Sequence, residues 1–348
     1  MDSITLVVPI YNSCQHLENL FSDLSHQKLS NFTCIFVYDK STDGTLTKLQ
    51  SLIAKYPTFH CAVLVKPQKE GVGKARDFAI ESGLVTSRYV LFLDSDDSFS
   101  PSYLSTLFQR AEATNADITM CGYRRIDSSN NHVISTEMVH NPDVINDVSD
   151  SSVVPYLNPA PWNKLMKFSI IQDARFIHKG GSGEDMMFFA KVLPNCQKIA
   201  FVNEPLYDYF VNPGSVSSLT NEVSLDEAKS GYLETKAFYV AHGQNFAKCM
   251  PLLEAFVFLR VAIGETTRVC LAKRHFYSSV IKDTKKWLTE NFPHWECNKY
   301  ISFWHCLRNG IKALLIWRCK FLYSIGCFGL FVLDYKLFTS IFKKDIKW

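Results

Sequence analysis

The first hundred residues repeat one pattern, in which a short, continuously apolar run is followed by a longer segment with the spacing of an amphipathic helix. The apolar runs, rich in Val, Ile, Leu and Phe, predict strands over 4–10, 32–39, 60–65 and 89–94. A run that is apolar at every position fits a strand buried on both faces. Strands that alternate with helices predict an α/β domain with a mostly parallel central sheet and right-handed crossovers.

The pattern changes after the first third of the chain. Residues 117–126 predict one more strand, whereas 127–158 are polar and rich in Asn, Ser and Asp, which predicts a loop. Helical periodicity dominates from about 222 to 290, and 301–348 are predicted to be helical and amphipathic. The 348 residues are enough for one large domain or two ordinary ones.

Charge and cysteine content exclude several classes of protein. The formal net charge of +3 is too small to indicate a nucleic-acid-binding surface. The eleven cysteines include no C-x-x-C pair, which favours buried thiols in a cytosolic protein over a zinc site or a disulfide framework. The N-terminus lacks the features of a secretory signal.

The last fifty residues differ from the rest in charge. Residues 299–348 carry nine Lys or Arg and two Asp, a local charge of +7 that leaves residues 1–298 at −4. Basic residues interrupt the apolar runs of this segment, so none is long enough to span a bilayer. Its basic and aromatic composition predicts interfacial helices on anionic lipid. The alternative is a pair of helices packed on the rest of the protein.

Polar clusters follow three of the predicted strands, at 9–12, 39–44 and 94–97. Ligands of open α/β sheets bind beyond the carboxyl ends of the strands, so we expect these clusters to line one crevice. Each cluster alone also fits a turn or a helix cap, and for Asp43 the cap is an equal alternative.

The cluster D-S-D-D at 94–97 is the most specific of the three. Three carboxylates within four residues repel one another, and a cation or a hydrogen-bond donor relieves that repulsion. A small number of hard oxygen ligands suits Mg²⁺ or Mn²⁺ shared with the phosphates of a substrate. The alternative is a solvated turn that caps the next helix.

Several motifs, taken in order, resemble those of the family 2 glycosyltransferases. The donor-side motifs are V-V-P-I-Y-N at 7–12, Y-D-K-S-T-D-G-T at 38–45, G-V-G-K-A-R-D at 71–77 and L-D-S-D-D at 93–97. The acceptor-side motifs are P-W-N-K-L at 161–165, G-E-D-M-M-F-F at 183–189 and Y-D-Y-F-V-N-P-G-S-V-S at 207–217. The resemblance implies the GT-A fold, a Rossmann-like α/β architecture, and inverting transfer from a nucleotide sugar.

At the matched positions the resemblance implies a donor site with a divalent cation. The donor-binding residues would be Pro9, Tyr11, Asp39, Arg76, Asp94 and Ser95. Pro9 and Tyr11 would border the nucleotide base, and Asp39 would hydrogen-bond the edge of a uracil. Arg76 would approach the base or the diphosphate, and Asp94 the ribose or the sugar. Asp96 would hold Mn²⁺ or Mg²⁺ against the diphosphate, with Asp97 nearby.

The acceptor-side motifs imply a base and an acceptor site. Asp185 would be the catalytic base, with Glu184 beside it; an acid pair is also favoured at a helix N-terminus for electrostatic reasons. Trp162 would stack on an acceptor sugar or, as an equal alternative, pack in the core. Asn163 and Lys164 would orient the acceptor or a phosphate.

One motif departs from the family pattern. Tyr38-Asp39-Lys40-Ser41 stands where the family often shows D-D-G-S. The second acid is kept, whereas a tyrosine and a lysine replace the first acid and the glycine. The resemblance therefore predicts recognition of the base at this loop but leaves the conformation of the loop open.

Together these features predict a metal-dependent inverting glycosyltransferase of polysaccharide or glycolipid biosynthesis, of the type that builds capsules or lipopolysaccharides. It would move a hexosyl or N-acetylhexosaminyl group from a nucleotide sugar, with UDP expected, to a glycan or lipid-linked acceptor. The predicted division is a catalytic domain over 1–217, a helical extension over 218–298 and a basic tail over 299–348. Through that tail the protein would lie peripherally on the inner face of the cell membrane. The alternative is a non-catalytic nucleotide-sugar-binding or scaffold protein on the same fold; a nucleotidyltransferase is disfavoured because no G-x-G-T-R signature occurs.

Overall fold

The computed structural model describes residues 3–148, 158–176, 183–211, 222–272, 278–308 and 311–334. The chain divides into two compact units. The sheet unit comprises Met1–Asp147, Ala160–His178 and Asn195–Ser215, and the helical unit comprises Val148–Pro159, Lys179–Pro194 and Val216–Trp348. The segment Lys179–Pro194, which the predicted division keeps in the catalytic domain, groups with the helical unit. The three-part division of the chain stays a prediction.

A ten-stranded sheet is the framework of the sheet unit. Its strands are β1 (Ile4–Ile10), β2 (Phe32–Tyr38), β3 (His60–Val65), β4 (Tyr89–Phe92), β5 (Ser98–Phe99), β6 (Ile118–Asp127), β7 (Val133–Glu137), β8 (Val144–Ile145), β9 (Lys164–Lys167) and β10 (Ile199–Val211). Their order is β3-β2-β1-β4-β9-β6-β10-β5, with β7 paired to β6 and β8 to β10. The strands β3, β2, β1 and β4 are parallel, and β9 runs antiparallel between β4 and β6. The predicted α/β fold with a mostly parallel central sheet is confirmed.

Helices lie in both units. The sheet unit contains α1 (Leu17–Ser25), α2 (Thr45–Lys55), α3 (Val72–Glu81), α4 (Tyr103–Thr114) and the short α5 (Phe168–Ile171). The helical unit contains α6 (Glu184–Val192), α7 (Glu222–Ala241), α8 (Gln244–Val257), α9 (Thr266–Ala272), α10 (Ser278–Asn291), α11 (Phe303–Arg308) and α12 (Ile311–Ser324). Helices therefore follow β1, β2 and β3, as the alternating pattern predicts.

The core of the sheet unit explains why the first strands are apolar at nearly every position. β1, β2 and β4 are buried almost throughout, whereas β3 lies at the edge of the sheet and is partly exposed. α1 covers β2 with a stripe at helical spacing, and the ring of Phe21 stacks on that of Phe36 with centroids 5.4 Å apart. Burying one large apolar side chain of this kind contributes about 1.5–3 kcal/mol. A sheet packed in this way fixes the positions of the loops that leave the carboxyl ends of its strands.

The predicted loop over 127–158 is partly wrong, because β7 and β8 lie within it. β7 pairs antiparallel with β6 and is mostly exposed on both faces. A strand in that position needs no apolar run, so it gives no strand signal in the sequence. Residues 149–157 lie outside the described residues.

The helical unit has a separate aromatic core. α8, a π-helical segment over Phe258–Glu265 and α9 follow one another without a break. The ring of Phe258 stacks on that of Trp295 with centroids 5.2 Å apart, and Tyr323 of α12 meets Trp295 edge-on at 5.8 Å. The helical prediction for 301–348 agrees with α11 and α12, while 335–348 lie outside the described residues. Within the described ranges, each helix is too short or too polar to cross a membrane.

Candidate functional site

The loops that follow β1 and β2 are joined to each other by hydrogen bonds. Asn12 adopts a left-handed conformation (φ 47°), which asparagine tolerates better than most residues. Its backbone N–H donates to Ser41 Oγ (3.0 Å), and its side-chain Oδ1 accepts the N–H of Thr42 (3.0 Å). The two loops therefore form one surface at the carboxyl ends of adjacent strands.

Asp43 reinforces this connection from the start of α2. Its carboxylate accepts the backbone N–H groups of Cys14 (3.1 Å) and Thr45 (3.1 Å). The N-cap of α2 is Gly44, so these contacts make Asp43 a residue that holds the turn before the helix and joins it to the loop after β1.

In the segment 38–41, which departs from the family pattern, the side chain of a tyrosine closes the turn. The hydroxyl of Tyr38 accepts the backbone N–H of Ser41 (3.0 Å), and Ser41 Oγ donates to the carbonyl of Asp39 (3.0 Å). Lys40 points into solvent. A buried ring with a hydroxyl at its tip thus fixes a turn without the glycine of the family motif.

Asp39 lies directly after β2 and holds the loop that precedes α3. Its backbone N–H donates to the carbonyl of Ile10 (2.9 Å), next to Pro9 in β1. Its buried carboxylate accepts the N–H groups of Glu70 (3.1 Å) and Gly71 (2.9 Å). Gly71 has φ 97°, a conformation that favours glycine. Asp39, which is expected to contact the nucleotide base, therefore also fixes the turn at residues 70–71.

Three lysines surround this turn. Lys66 Nζ and Lys74 Nζ lie 2.9 and 3.0 Å from the Glu70 carboxylate, and their hydrogen bonds lower the pKa of Glu70 to about 2. Lys69 Nζ lies 3.9 Å from the centroid of the exposed Tyr11 ring. The ring expected to border a nucleotide base is thus covered by a cation, a favourable contact for an aromatic face.

Arg76 joins α3 to the start of the acidic cluster. Its buried guanidinium donates to Asp94 Oδ1 (2.7 Å) and lies over the rings of Phe176 (5.1 Å) and Phe92 (5.9 Å). Asp94 itself is partly exposed. Arg76, expected near the base or the diphosphate, therefore orients Asp94, which is expected near the ribose or the sugar.

Two residues of the acidic cluster are anchored in the interior. Ser95 Oγ lies 2.7 Å from Ser13 Oγ, which ties the cluster to the loop after β1. The carboxylate of Asp97 accepts the hydroxyl of Tyr207 (2.8 Å) and the N–H of Phe210 (2.9 Å), both in β10. Burial, followed by the charges of the two neighbouring aspartates, raises the pKa of Asp97 well above its usual value. Asp97 is thus a structural tie between this loop and β10.

Within the D-S-D-D cluster, Asp96 is the most exposed residue. Partial enclosure by the protein, followed by the charge of Asp94, raises the pKa of Asp96. Among the described residues, no three His, Cys, Asp or Glu side chains are placed to hold a metal ion together. A single carboxylate amid crowded negative charge still fits Mg²⁺ or Mn²⁺, because these ions take the remaining oxygens from phosphates and water.

The three predicted acceptor residues lie inside the sheet unit. The buried Trp162 stacks on Tyr207 with centroids 4.5 Å apart. Asn163 Nδ2 donates to the carbonyl of Cys121 (3.1 Å), and Lys164 Nζ donates to Asn163 Oδ1 (2.7 Å). These contacts favour the core alternative for Trp162; the acceptor roles of all three stay predictions.

Glu184 and Asp185 begin α6, in the helical unit. Gly183 precedes them at the N-cap with φ 119°, a conformation that a side chain would strain. Acids in the first turn of a helix are stabilised by its dipole, which fits the electrostatic alternative for this pair; that position is compatible with the base role, which stays a prediction. The structure gathers the predicted donor and acceptor residues in the sheet unit and places the predicted base in the other unit.

A buried charge network next to Gly183 was not predicted. Arg260 Nε lies 3.6 Å from the point where a Cβ of Gly183 would be, and 3.5 Å from Glu265 Oε1. The fully buried Glu265 also pairs with Arg268. The signal available in the sequence was a set of charges inside the otherwise apolar run 252–270. Because such charges are costly to bury unpaired, they indicate a specific network.

Comparisons with known proteins agree with the motifs. The family profile described as "Glycosyl transferase family 2" matches residues 5–193. Similar curated proteins include glycosyltransferase GlyA of Streptococcus pneumoniae (26% identical, 64% of this chain and 32% of the relative). They also include the cholesterol galactosyltransferase of Borreliella burgdorferi (22% identical, 67% and 66%) and the poly(ribitol-phosphate) beta-glucosyltransferase of Bacillus spizizenii (28% identical, 60% and 32%). The matched part of this chain thus spans between a third and two thirds of the length of these relatives.

Solved structures share the fold. Residues 1–349 of S. aureus TarS, solved alone and in complex with UDP-GlcNAc, align with a TM-score of 0.65 at 18% identity, covering 93% of this chain and 92% of that one. The mannosyltransferase PcManGT of Pyrobaculum calidifontis, in complex with GDP-Man and Mn²⁺, aligns with a TM-score of 0.53 at 14% identity, covering 92% and 87%. At these identities the likeness establishes the fold, and the predicted GT-A architecture is confirmed.

Proposed function

The chain belongs to glycosyl transferase family 2, and from that premise we propose that it transfers a sugar from a nucleotide donor to a hydroxyl group of a glycan or lipid-linked acceptor. The observation that carries the proposal is the joined surface of loops after β1, β2 and β4. Asp39, the Arg76–Asp94 pair and the exposed Asp96 all lie on these loops or on the adjoining α3. Such a surface is where a sheet of this type binds a nucleotide.

We propose UDP as the nucleotide. The fold is shared with TarS, which has been solved with UDP and with UDP-GlcNAc, and the match of Asp39 to the family motif implies contact with a uracil edge. The lysines at 66, 69 and 74, two of them paired with Glu70, surround the turn held by Asp39, and we propose that they give this edge of the site a positive charge that favours a nucleotide. PcManGT, solved with GDP-Man, shares the fold as well, so GDP-mannose is the competing donor in the test below.

Asp96 is the proposed ligand of Mg²⁺ or Mn²⁺. When bound, the ion would neutralise negative charge on the leaving diphosphate. Arg76 orients Asp94 against the donor, and Asp97 holds the loop to β10 so that Asp96 keeps its exposed position. Partial enclosure and then the charge of Asp94 raise the pKa of Asp96, and a bound cation would offset the repulsion between the two carboxylates.

Asp185 is the proposed general base of an inverting displacement. Its carboxylate takes the proton of the acceptor hydroxyl while the acceptor oxygen bonds to the anomeric carbon of the sugar. The bond between that carbon and the diphosphate oxygen breaks, and its electron pair leaves with the nucleotide. A well-placed base of this kind contributes about 10²–10⁴-fold to the rate.

The biological setting is part of the same proposal. We place the protein peripherally on the inner face of the cell membrane, in the synthesis of a surface polysaccharide or glycolipid. The basic composition of 299–348 supports this placement. The named acceptors of two relatives, cholesterol and poly(ribitol-phosphate), are a membrane lipid and a polymer, which fits an acceptor of either class.

The test is a screen of nucleotide sugars for nucleotide release. We expect a UDP-sugar to give turnover that requires Mn²⁺ or Mg²⁺ and that disappears with EDTA, while GDP-mannose gives none. Turnover with GDP-mannose alone would overturn the assignment of UDP. Absence of both nucleotide-sugar binding and turnover, with Mn²⁺ present, would favour the non-catalytic alternative instead.

A further inference from the structure

α12 has apolar side chains on two of its faces. One face, formed by Ile316, Cys319 and Tyr323, is buried within the helical unit, where Tyr323 meets Trp295. The other carries Trp317 and Phe321, one helical turn apart, and the side chain of Phe321 is 47% exposed. A helix at a protein surface normally turns polar residues to water, so this second apolar face needs a partner.

The exposed face of α12 continues onto α11 through a row of aromatic rings. Trp304 lies 5.3 Å from Phe303, Phe303 lies 4.8 Å from Trp317, and Trp317 stacks on Phe321 at 5.7 Å, all between centroids. We refer to these four residues as the aromatic ladder. Trp304 is 70% exposed and Phe303 38% exposed. Four contiguous rings in contact with water form a patch of the kind that marks an interaction site.

More exposed apolar side chains flank the aromatic ladder in sequence. Leu307 in α11, Ile325 just after α12, and Leu330 and Leu333 in the helical stretch that follows are each exposed by about half. The apolar surface is therefore concentrated in this part of the helical unit, between residues 303 and 333.

Charge identifies the partner. Exposed basic side chains lie on or just before these helices: Lys299 precedes α11, Arg308 ends it, and Arg318 on α12 also pairs with Asp334. Residues 299–348 carry a net charge of +7. A second copy of this chain, docked through the same patch by two-fold symmetry, would bring like charges together. An anionic lipid surface offers the opposite charge together with an apolar layer at the depth that Trp and Phe prefer.

We propose that the aromatic ladder docks the helical unit onto a membrane surface that contains anionic lipid. The rings enter the boundary between headgroups and acyl chains, and the basic side chains contact lipid phosphates, as in other interfacial helices. The buried face of α12 keeps the helix in the fold while the ladder engages the lipid. The proposal rests on the membrane placement proposed above and assigns it to a defined surface. It does not depend on which sugar the protein transfers.

The experiment is flotation of the full-length chain with vesicles of phosphatidylcholine alone and of phosphatidylcholine mixed with phosphatidylglycerol. We expect binding to the mixed vesicles, weaker binding to pure phosphatidylcholine, and loss of binding at high salt. The double variant Trp304→Ser, Phe321→Ser should weaken binding to mixed vesicles by about ten- to hundredfold. The matched control is Val223→Ser, Val240→Ser, which removes two exposed apolar side chains of α7 in the same unit and should bind like the parent.

Circular dichroism and the melting temperature show whether the double variant is folded. If it is not, the single variant Trp304→Ser, at the most exposed ring, replaces it. Equal flotation of parent and folded variant would overturn the proposal, as would failure of the parent to bind mixed vesicles. A parent that forms dimers through the ladder and ignores lipid would assign the surface to a second copy. Loss of lipid binding with nucleotide-sugar turnover retained would support the proposal and separate it from the enzymatic one.

Discussion

The sheet unit and the helical unit hold their candidate functional side chains by different means. In the sheet unit, Asp39 accepts backbone N–H groups of a neighbouring loop and Asp94 accepts a hydrogen bond from Arg76, so strand-end loops brace one another. In the helical unit, Glu184 and Asp185 open a helix beside the buried pair of Arg260 and Glu265. The candidate side chains of the sheet unit are therefore held by contacts between loops, whereas those of the helical unit lie beside charges enclosed in a core.

The largest expected effect is on the proposed base in the helical unit. Asp185→Asn keeps the shape of the side chain but cannot accept a proton, so transfer should fall by about 10²–10⁴-fold. Binding of the donor nucleotide should stay unchanged, because the donor residues lie in the sheet unit. Steady-state transfer rates and calorimetric donor affinity measure the two quantities. The control is Asp226→Asn, at an exposed aspartate of α7, which should transfer sugar like the parent. Near-normal transfer by Asp185→Asn would exclude Asp185 as the base.

A similarly large effect is expected on the stability of the helical unit. Glu265→Gln removes the buried negative charge that pairs with Arg260 and Arg268, which should lower the free energy of unfolding by about 3–5 kcal/mol. Glu290→Gln, at an exposed ion pair with Lys286, should change it by less than about 1 kcal/mol. Denaturant unfolding of both variants gives the comparison. Equal stability of the two would mean that the buried network does not support this unit.

In the sheet unit, the largest expected effect is on the proposed metal ligand. Asp96→Ala should reduce metal-dependent nucleotide release by about 10²–10³-fold, because charge on the leaving diphosphate is no longer neutralised. In a titration with Mn²⁺, the variant should need a higher Mn²⁺ concentration to reach half of its own, lower, maximal rate. Asp143→Ala, at a highly exposed aspartate of the same unit, should behave like the parent. An unchanged dependence on Mn²⁺ in Asp96→Ala would place the metal elsewhere.

A smaller effect is expected at the brace between α3 and the acidic cluster. Arg76→Met keeps most of the side-chain volume but leaves Asp94 without its 2.7 Å donor, so the free energy of unfolding should fall by about 1–3 kcal/mol. The KM for the donor should rise more than kcat falls, because the change acts on donor positioning. Arg88→Met, at an exposed pair with Glu112, should cost at most about 1 kcal/mol. If both variants behave alike, the loops of the sheet unit do not depend on this brace.

Local patterns predicted five of the ten strands in the described part of the sheet unit, namely β1 to β4 and β6. The apolar runs indicated β1, β2 and β4 because strands buried on both faces must be apolar throughout, whereas β3 carries such a run although it is a partly exposed edge strand. The polar segments after these strands marked the loops of the candidate donor site. β7 escaped prediction because an exposed strand carries no such run. Asp97 could be recognised as an acid but not as a tie, since its partners Tyr207 and Phe210 lie more than a hundred residues away.

The alternation of strands and helices, and the acids and lysines at the strand ends, could be read from the amino-acid sequence. Short-range periodicity and turn chemistry encode these features directly. Which of those groups contact one another became known only from the folded chain. In the fold, Asp39 accepts a hydrogen bond from the 70–71 turn, and Trp162 stacks on Tyr207 in the core. Arg260 lies beside Gly183, and the aromatic ladder is exposed to solvent. The physical reason is that such contacts join residues far apart in the chain, and their energies depend on burial and distance that no local pattern encodes.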